Sequence, residues 1–110
     1  ADARVARALV AIHEAPGEPW TLERMARRAG MSRTAFATTF RVLMDQTPGS
    51  YLTQWRISLA QQRLRQGEPL TRIAGELGYA SASALSRAFT AQTGRSPRAW
   101  LGEQHAPATG

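Results

Sequence analysis

The chain repeats itself. Leu22, Met25, Ala26 and Gly30 return as Leu70, Ile73, Ala74 and Gly78, a shift of 48 positions. Ser32, Phe36, Phe40, Pro48, Tyr51 and Leu52 return as Ser81, Leu85, Phe89, Pro97, Trp100 and Leu101, a shift of 49. Self-similarity of this kind marks one supersecondary unit used twice. The fold of one half is therefore expected in the other, with one extra residue in the second copy's turn.

Each copy carries the parts of a helix-turn-helix. An alanine (Ala26, Ala74) lets two helices approach closely, and a glycine four residues later (Gly30, Gly78) can take the left-handed conformation that ends the first helix. An apolar residue (Phe36, Leu85) then packs the second helix back onto the first and leaves it a polar outward face. One copy is a weak signal, because helical hairpins with a glycine turn are common. Two copies in register, each with an arginine-bearing second helix free of acids, point to nucleic acid.

Helical signals run throughout, and no stretch alternates with period two for long. Ala3 to His13 carries Val5, Leu9 and Ile12 at helical spacing, and Pro16, Gly17 and Pro19 end it. Thr21 is an N-cap for a helix over Leu22 to Ala29 that stops at Gly30. Ser32 caps the next, with Phe36, Phe40 and Leu43 on one face. Thr47-Pro48 is a cap followed by a proline at the first helical position. It opens the longest pattern, in which Tyr51, Leu52, Trp55, Leu59 and Leu64 trace one stripe to Gln66, before Gly67. Pro69 opens a short helix ending near Gly78. Ser81 caps a helix bearing Leu85, Ala88 and Phe89 that Gly94 ends, and Ser96-Pro97 precedes a final turn to Leu101. The expected architecture is all-α: a first helix-turn-helix over residues 1–47, a linking helix over 48–66, a second helix-turn-helix over 67–102 and a frayed tail over 103–110.

Charge follows the repeat. The 110 residues are 43% hydrophobic, enough for a packed core, and carry a formal net charge of +6 from 14 basic and 8 acidic residues. Every basic residue is arginine. The acids are Asp2, Glu14, Glu18, Glu23, Asp45, Glu68, Glu76 and Glu103, so none lies between Arg24 and Met44 or between Leu77 and Gly102. Those stretches hold the second helix of each copy, and a positive field over them attracts a polyanion.

The absence of cysteine excludes disulfides and thiolate metal sites and fits a cytoplasmic location. No apolar run approaches membrane-spanning length, and no secretory signal pattern is present. There is no glycine-rich phosphate loop and no pair of carboxylates on one helical face, so no enzymatic role is expected. His13 and His105 have no partner at metal or catalytic spacing, and no cofactor is expected. The rival in another class is a helical protein-interaction module that does not bind DNA. The chain opens at Ala1 without Met, in a helix-like segment, and is expected to belong to a longer protein.

Beyond these readings, the chain resembles the DNA-binding domain of the AraC/XylS family of bacterial transcription regulators. The resemblance is carried by Trp20-Thr21-Leu22 with Met25-Ala26, then by Gly30-Met31-Ser32-Arg33 with Phe36 and Phe40-Arg41. Thr47-Pro48, Tyr51-Leu52, Trp55-Arg56, Ala60 and Leu64 continue it. In the second half it rests on Ile73-Ala74, Gly78-Tyr79, Ser81, Ser83, Ser86-Arg87-Ala88-Phe89 and Gly94-Arg95-Ser96-Pro97. It covers about residues 4 to 101. The resemblance implies seven helices, two units bridged by a long helix, a monomeric domain reading an asymmetric site, and contact with RNA polymerase. It also implies an effector-binding domain outside this chain; the His13 and Trp20-Thr21-Leu22 region looks like the branch whose sensor is of cupin type. Three departures stand out. The family often has Gly where Asp45 stands, which predicts a different exit from the third helix. A larger aromatic usually occupies the place of Leu85, and basic residues are frequent at Thr38 and Thr39.

The expected partner is double-stranded DNA. In the first unit the outward positions are Arg33, Thr34, Ala37, Thr38 and Arg41; by resemblance Thr34 and Thr38 point into the groove, while Arg33 and Arg41 are open to guanine or phosphate. In the second unit the matching positions are Ala82, Ser83, Ser86 and Arg87, with Arg87 the strongest base reader because a guanidinium can bond guanine O6 and N7 together. Ser32 and Ser81 are helix caps first, and a capped N-terminus can also meet a phosphate; Arg98 completes the candidate contacts. Trp20, Trp55 and Trp100 are expected in the core, and a structural role is expected for Arg56. The linking helix, Pro48 to Gln66, is roughly 28 Å long at the usual rise, against about 34 Å between successive major-groove faces, so it could hold two recognition helices in adjacent grooves.

Overall fold

A computed structural model describes residues 2–105. It contains α1 (Ala3–Glu14), α2 (Leu22–Ala29), α3 (Arg33–Met44), α4 (Pro48–Arg65), α5 (Leu70–Glu76), α6 (Ala82–Thr93) and α7 (Pro97–Gln104). No strand occurs among the described residues. The chain forms two compact units, Ala1–Gln54 and Trp55–Gly110, so the boundary falls inside α4 rather than at its ends.

The helices start where local chemistry starts them. The Thr21 side chain accepts from the Arg24 amide, Ser32 from Ala35, Ser81 from Ala84 and Ser96 from Ala99. Each satisfies an amide that the first helical turn leaves without a partner. Thr47 does the same for Ser50 at the head of α4. In α5, Pro69 precedes the first helical residue and gives no side-chain cap.

The turns confirm and refine the repeat. Gly30 and Gly78 have φ of 69° and 85°. The Met31 amide donates to the Ala26 carbonyl at 3.0 Å, and the Tyr79 amide donates to the Ala74 carbonyl at 2.8 Å. These two bonds correspond under the 48-residue shift, so the extra residue of the second unit enters after Tyr79, as Ala80, before the Ser81 cap. Aromatic packing corresponds under the 49-residue shift. Phe40 meets Tyr51 edge-on at 5.7 Å and 73°, and Phe89 meets Trp100 at 5.8 Å and 72°.

The first unit buries Val5, Ala8, Ile12, Trp20, Met25, Ala26, Ala29, Phe36, Phe40 and Leu52. The second buries Ile57, Ala60, Leu64, Ile73, Ala74, Leu77, Leu85 and Phe89. The expected stripe on the linking helix is therefore not single: Leu52 belongs to the first core and Ile57, Ala60 and Leu64 to the second, with Tyr51, Trp55 and Leu59 half-buried. Leu85 is fully buried despite being smaller than the aromatic usual there. Leu43, expected on the buried face of α3, is 47% exposed, and Val42 is 78% exposed. The expected tail also begins too early: Glu103 and Gln104 continue α7, and Glu103 accepts from Arg95 Nε at 2.6 Å. Residues 106–110 lie outside the described residues.

Asp45 does not alter the exit from α3. It adopts φ 56°, ψ 29° and returns its amide to the Arg41 carbonyl, the exit a glycine would make. The left-handed conformation costs a residue with a Cβ, though less for Asp than for most. Asp45→Gly is expected to stabilise the first unit by roughly 0.5–1 kcal/mol, read as a higher melting temperature with unchanged helical circular dichroism.

Candidate nucleic-acid interface

The outward faces of α3 and α6 hold the candidate contacts, since Phe36 and Phe40, and Leu85 and Phe89, turn the opposite faces into the cores. On α3, Arg33, Thr34, Thr38 and Arg41 are exposed and Ala37 is half-buried. On α6, Ser83 and Arg87 are exposed, while Ala82 and Ser86 are half-buried. Ser32 and Ser81 sit at the helix heads as caps, and Arg98 is exposed on α7. Ala37, Ala82 and Ser86 thus present less surface than their outward placement predicts.

The two faces differ in where the charge lies. Under the 49-residue shift Arg33 corresponds to Ala82, Thr38 to Arg87 and Arg41 to Thr90. The first face carries arginine at both ends with threonines between, and the second carries one arginine at its middle.

The arginines divide into two groups. Arg4 pairs with Asp2, Arg27 with Glu23, Arg63 and Arg72 with Glu76, and Arg95 with Glu103. Arg7 Nη2 donates to the Ala29 carbonyl at 3.2 Å, satisfying the end of α2 beside the Gly30 turn. Arg24 and Arg28 lie over Trp20, 5.0 and 6.0 Å from its centroid, Arg56 over Tyr79 at 5.6 Å and Arg65 over Trp100 at 5.6 Å. Burial lowers the Arg56 pKa from its ordinary value and raises that of the Tyr79 hydroxyl it bonds; the structural role expected for Arg56 is to hold this turn residue. Among the described residues, Arg33, Arg41, Arg87 and Arg98 make no ion pair, side-chain hydrogen bond or ring contact. They are the four arginines already singled out from the sequence.

Three features escaped the sequence. A concave cavity of about 410 Å³ between α2 and α3 is lined by Glu23, Ala26, Arg27, Met31, Ser32 and Arg33. A shallower one of about 380 Å³ on α6 adds Thr90 and Ala91 to Ser86 and Arg87. Both added residues lie four positions after a candidate, so the helical period could have found them. His13 is not isolated: its Nε2 lies 2.5 Å from the Tyr51 hydroxyl, and burial raises the pKa of that tyrosine.

Known proteins share this arrangement. A helix-turn-helix domain family matches residues 25–103. Regulatory protein SoxS of Escherichia coli K12 is 37% identical over 87 residues, which is 78% of this chain and 81% of SoxS. A Streptomyces antibioticus protein named as an AraC-like transcription regulator is 44% identical over 98 residues, 88% of this chain. The chain belongs to the AraC-type helix-turn-helix family. This AraC-type domain spans about a third of the Streptomyces protein, 32% of its length. The DNA-binding domain of AdpA, solved in complex with a target DNA, superposes with a TM-score of 0.80 at 32% identity, covering 91% of each chain.

The partition of arginines predicts a partition of stability. Alanine at Arg33, Arg41, Arg87 or Arg98 is expected to change unfolding free energy by no more than about 0.5 kcal/mol. Arg7→Ala, which strips a carbonyl of its donor, is expected to cost about 0.5–1.5 kcal/mol. Denaturant melts of the five variants check this.

Proposed function

We propose that this AraC-type domain binds double-stranded DNA sequence-specifically and thereby regulates bacterial transcription, with α3 and α6 each entering a major groove. The observation that carries this reading is the set of four exposed arginines, on or beside two acid-free recognition faces, that have no side-chain partner among the described residues. A positively charged side chain with no use inside the fold is available to phosphates and base edges. The related DNA-binding domain of AdpA was solved in complex with a target DNA, which supports DNA as the partner.

The two units share affinity but not specificity, the second contributing more of the base discrimination. Arg87, at the middle of the α6 face, reads guanine, with Ser83 and Ser86 beside it. On α3, Thr34 and Thr38 discriminate less, Ala37 can touch only a thymine methyl, and Arg41 reaches base or backbone. Ser32, Ser81, Ala82 and Arg98 contribute positioning contacts. The recognition helices occupy successive major grooves of one duplex. The domain acts by binding, in the cytoplasm, as the DNA-reading part of a longer regulator with an effector-binding domain, and its output passes through RNA polymerase.

Selection from a random duplex pool is expected to return one asymmetric two-part site, and affinity for it to fall steeply with salt, with a log–log slope near −0.9 per phosphate neutralised. Enrichment of no sequence, together with retention flat in salt, overturns this in favour of a helical protein-interaction module. Arg87→Ala is expected to remove about 1–3 kcal/mol of discrimination at one base pair, measured with single-base variants of the selected site.

A further inference from the structure

We infer that the cavity between α2 and α3 is a DNA-phosphate site, in which Arg27 and Arg33 clasp the backbone and Glu23 competes with it. This rests on the DNA-binding reading above. Arg27 and Arg33 line the cavity, and Glu23 is the acid on its wall. Arg33 is the first residue of α3, so the cavity opens beside the recognition face. In a docked helix-turn-helix the first helix crosses the backbone while the second enters the groove, which brings a phosphate to this place.

The Arg27–Glu23 pair is not held by the fold. Its N–O distance is 3.3 Å, and the two side chains are 70% and 66% exposed. Such a pair is weak and screened by salt. The second unit shows that the helix pair forms without these charges: 48 residues on, Glu23 and Arg27 become Thr71 and Gly75, and 49 residues on, Arg33 becomes Ala82. Both basic groups of the cavity are therefore peculiar to the first unit. A guanidinium meets phosphate oxygens through two parallel hydrogen bonds, and Arg27 can exchange its single carboxylate contact for them. Glu23 then remains as a negative charge beside a polyanion, so it weakens binding. With Arg33 on the backbone, base reading by α3 falls to Thr34, Thr38 and Arg41.

Binding of the whole chain to its selected duplex and to an unrelated duplex, followed by fluorescence anisotropy across a salt series, tests this. Arg27→Ala and Arg33→Ala are expected to weaken binding to both duplexes by the same several-fold factor, each lowering the salt slope by about 1. Arg27→Lys is expected to keep the slope, and Glu23→Gln to strengthen binding to both duplexes. Circular dichroism that matches the parent chain accompanies each result. If Arg27→Ala and Glu23→Gln leave both affinities unchanged while the parent chain still binds, this inference is overturned and the DNA reading stands. If Arg33→Ala changes sequence preference, the assignment of Arg33 to phosphate is overturned. If the parent chain binds neither duplex, the DNA reading falls and this inference with it.

Discussion

Two alanines hold the geometry on which the rest depends. Ala26 and Ala74 are 2% and 1% exposed, on the helices α2 and α5 that pack against α3 and α6. Their methyl side chains let those helices approach, and a larger group there would push the recognition helix outward. Their carbonyls do separate work, accepting the turn amides of Met31 and Tyr79. One residue thus sets both the distance between the helices and the path between them. The left-handed glycines and the serine caps act within limits those two contacts impose. Ala80, the extra residue of the second turn, enters after that closing bond, which is why the turn lengthens without disturbing the helix pair.

Above this frame the arginines have two kinds of work. Arg7, Arg24, Arg28, Arg56 and Arg65 cover carbonyls and aromatic faces, where a flat, weakly hydrated guanidinium suits better than an ammonium. The glutamates hold others: Glu76 takes both Arg63 and Arg72, and the hydrogen bond from Arg72 leads in lowering its pKa. The arginines with no partner among the described residues are concentrated on α3, α6 and the start of α7, with the weakly paired Arg27 beside them on α2. Net charge alone would have spread the attraction over the whole surface.

The order and type of the helices were legible because they rest on local chemistry: a hydroxyl three residues before an amide, a glycine at a left-handed position. The outward faces were legible for the same reason, since Phe36 and Phe40 fix which side of α3 is left outside. What escaped depends on distance along the chain or on competition between cores. Tyr51 meets His13 across 38 residues, and no spacing rule links them. The apolar residues of α4 read as one stripe because a sequence does not show that two cores divide them. Leu43 fitted the helical period of Phe36 and Phe40, but it lies in the last turn of α3, where the core has ended. At the end of α7, Arg95 reaches Glu103 across eight residues, a contact that helix propensity does not contain. Arg27 was invisible as a site residue because its neighbour Arg33 lies on a different helix.

The four arginines without a partner among the described residues bear on how such a domain diverges. A residue that supports nothing inside the protein can be exchanged without asking the core to adjust. Under the contacts proposed above, Arg41 and Arg87 offer evolution dials on base preference and Arg33 and Arg98 dials on affinity, each turned while the scaffold stays intact. A duplicated unit gains most from this freedom: once one copy secures attachment, the other can drift toward a new target. The separation of scaffold from reading surface makes a single helical frame reusable across many promoters.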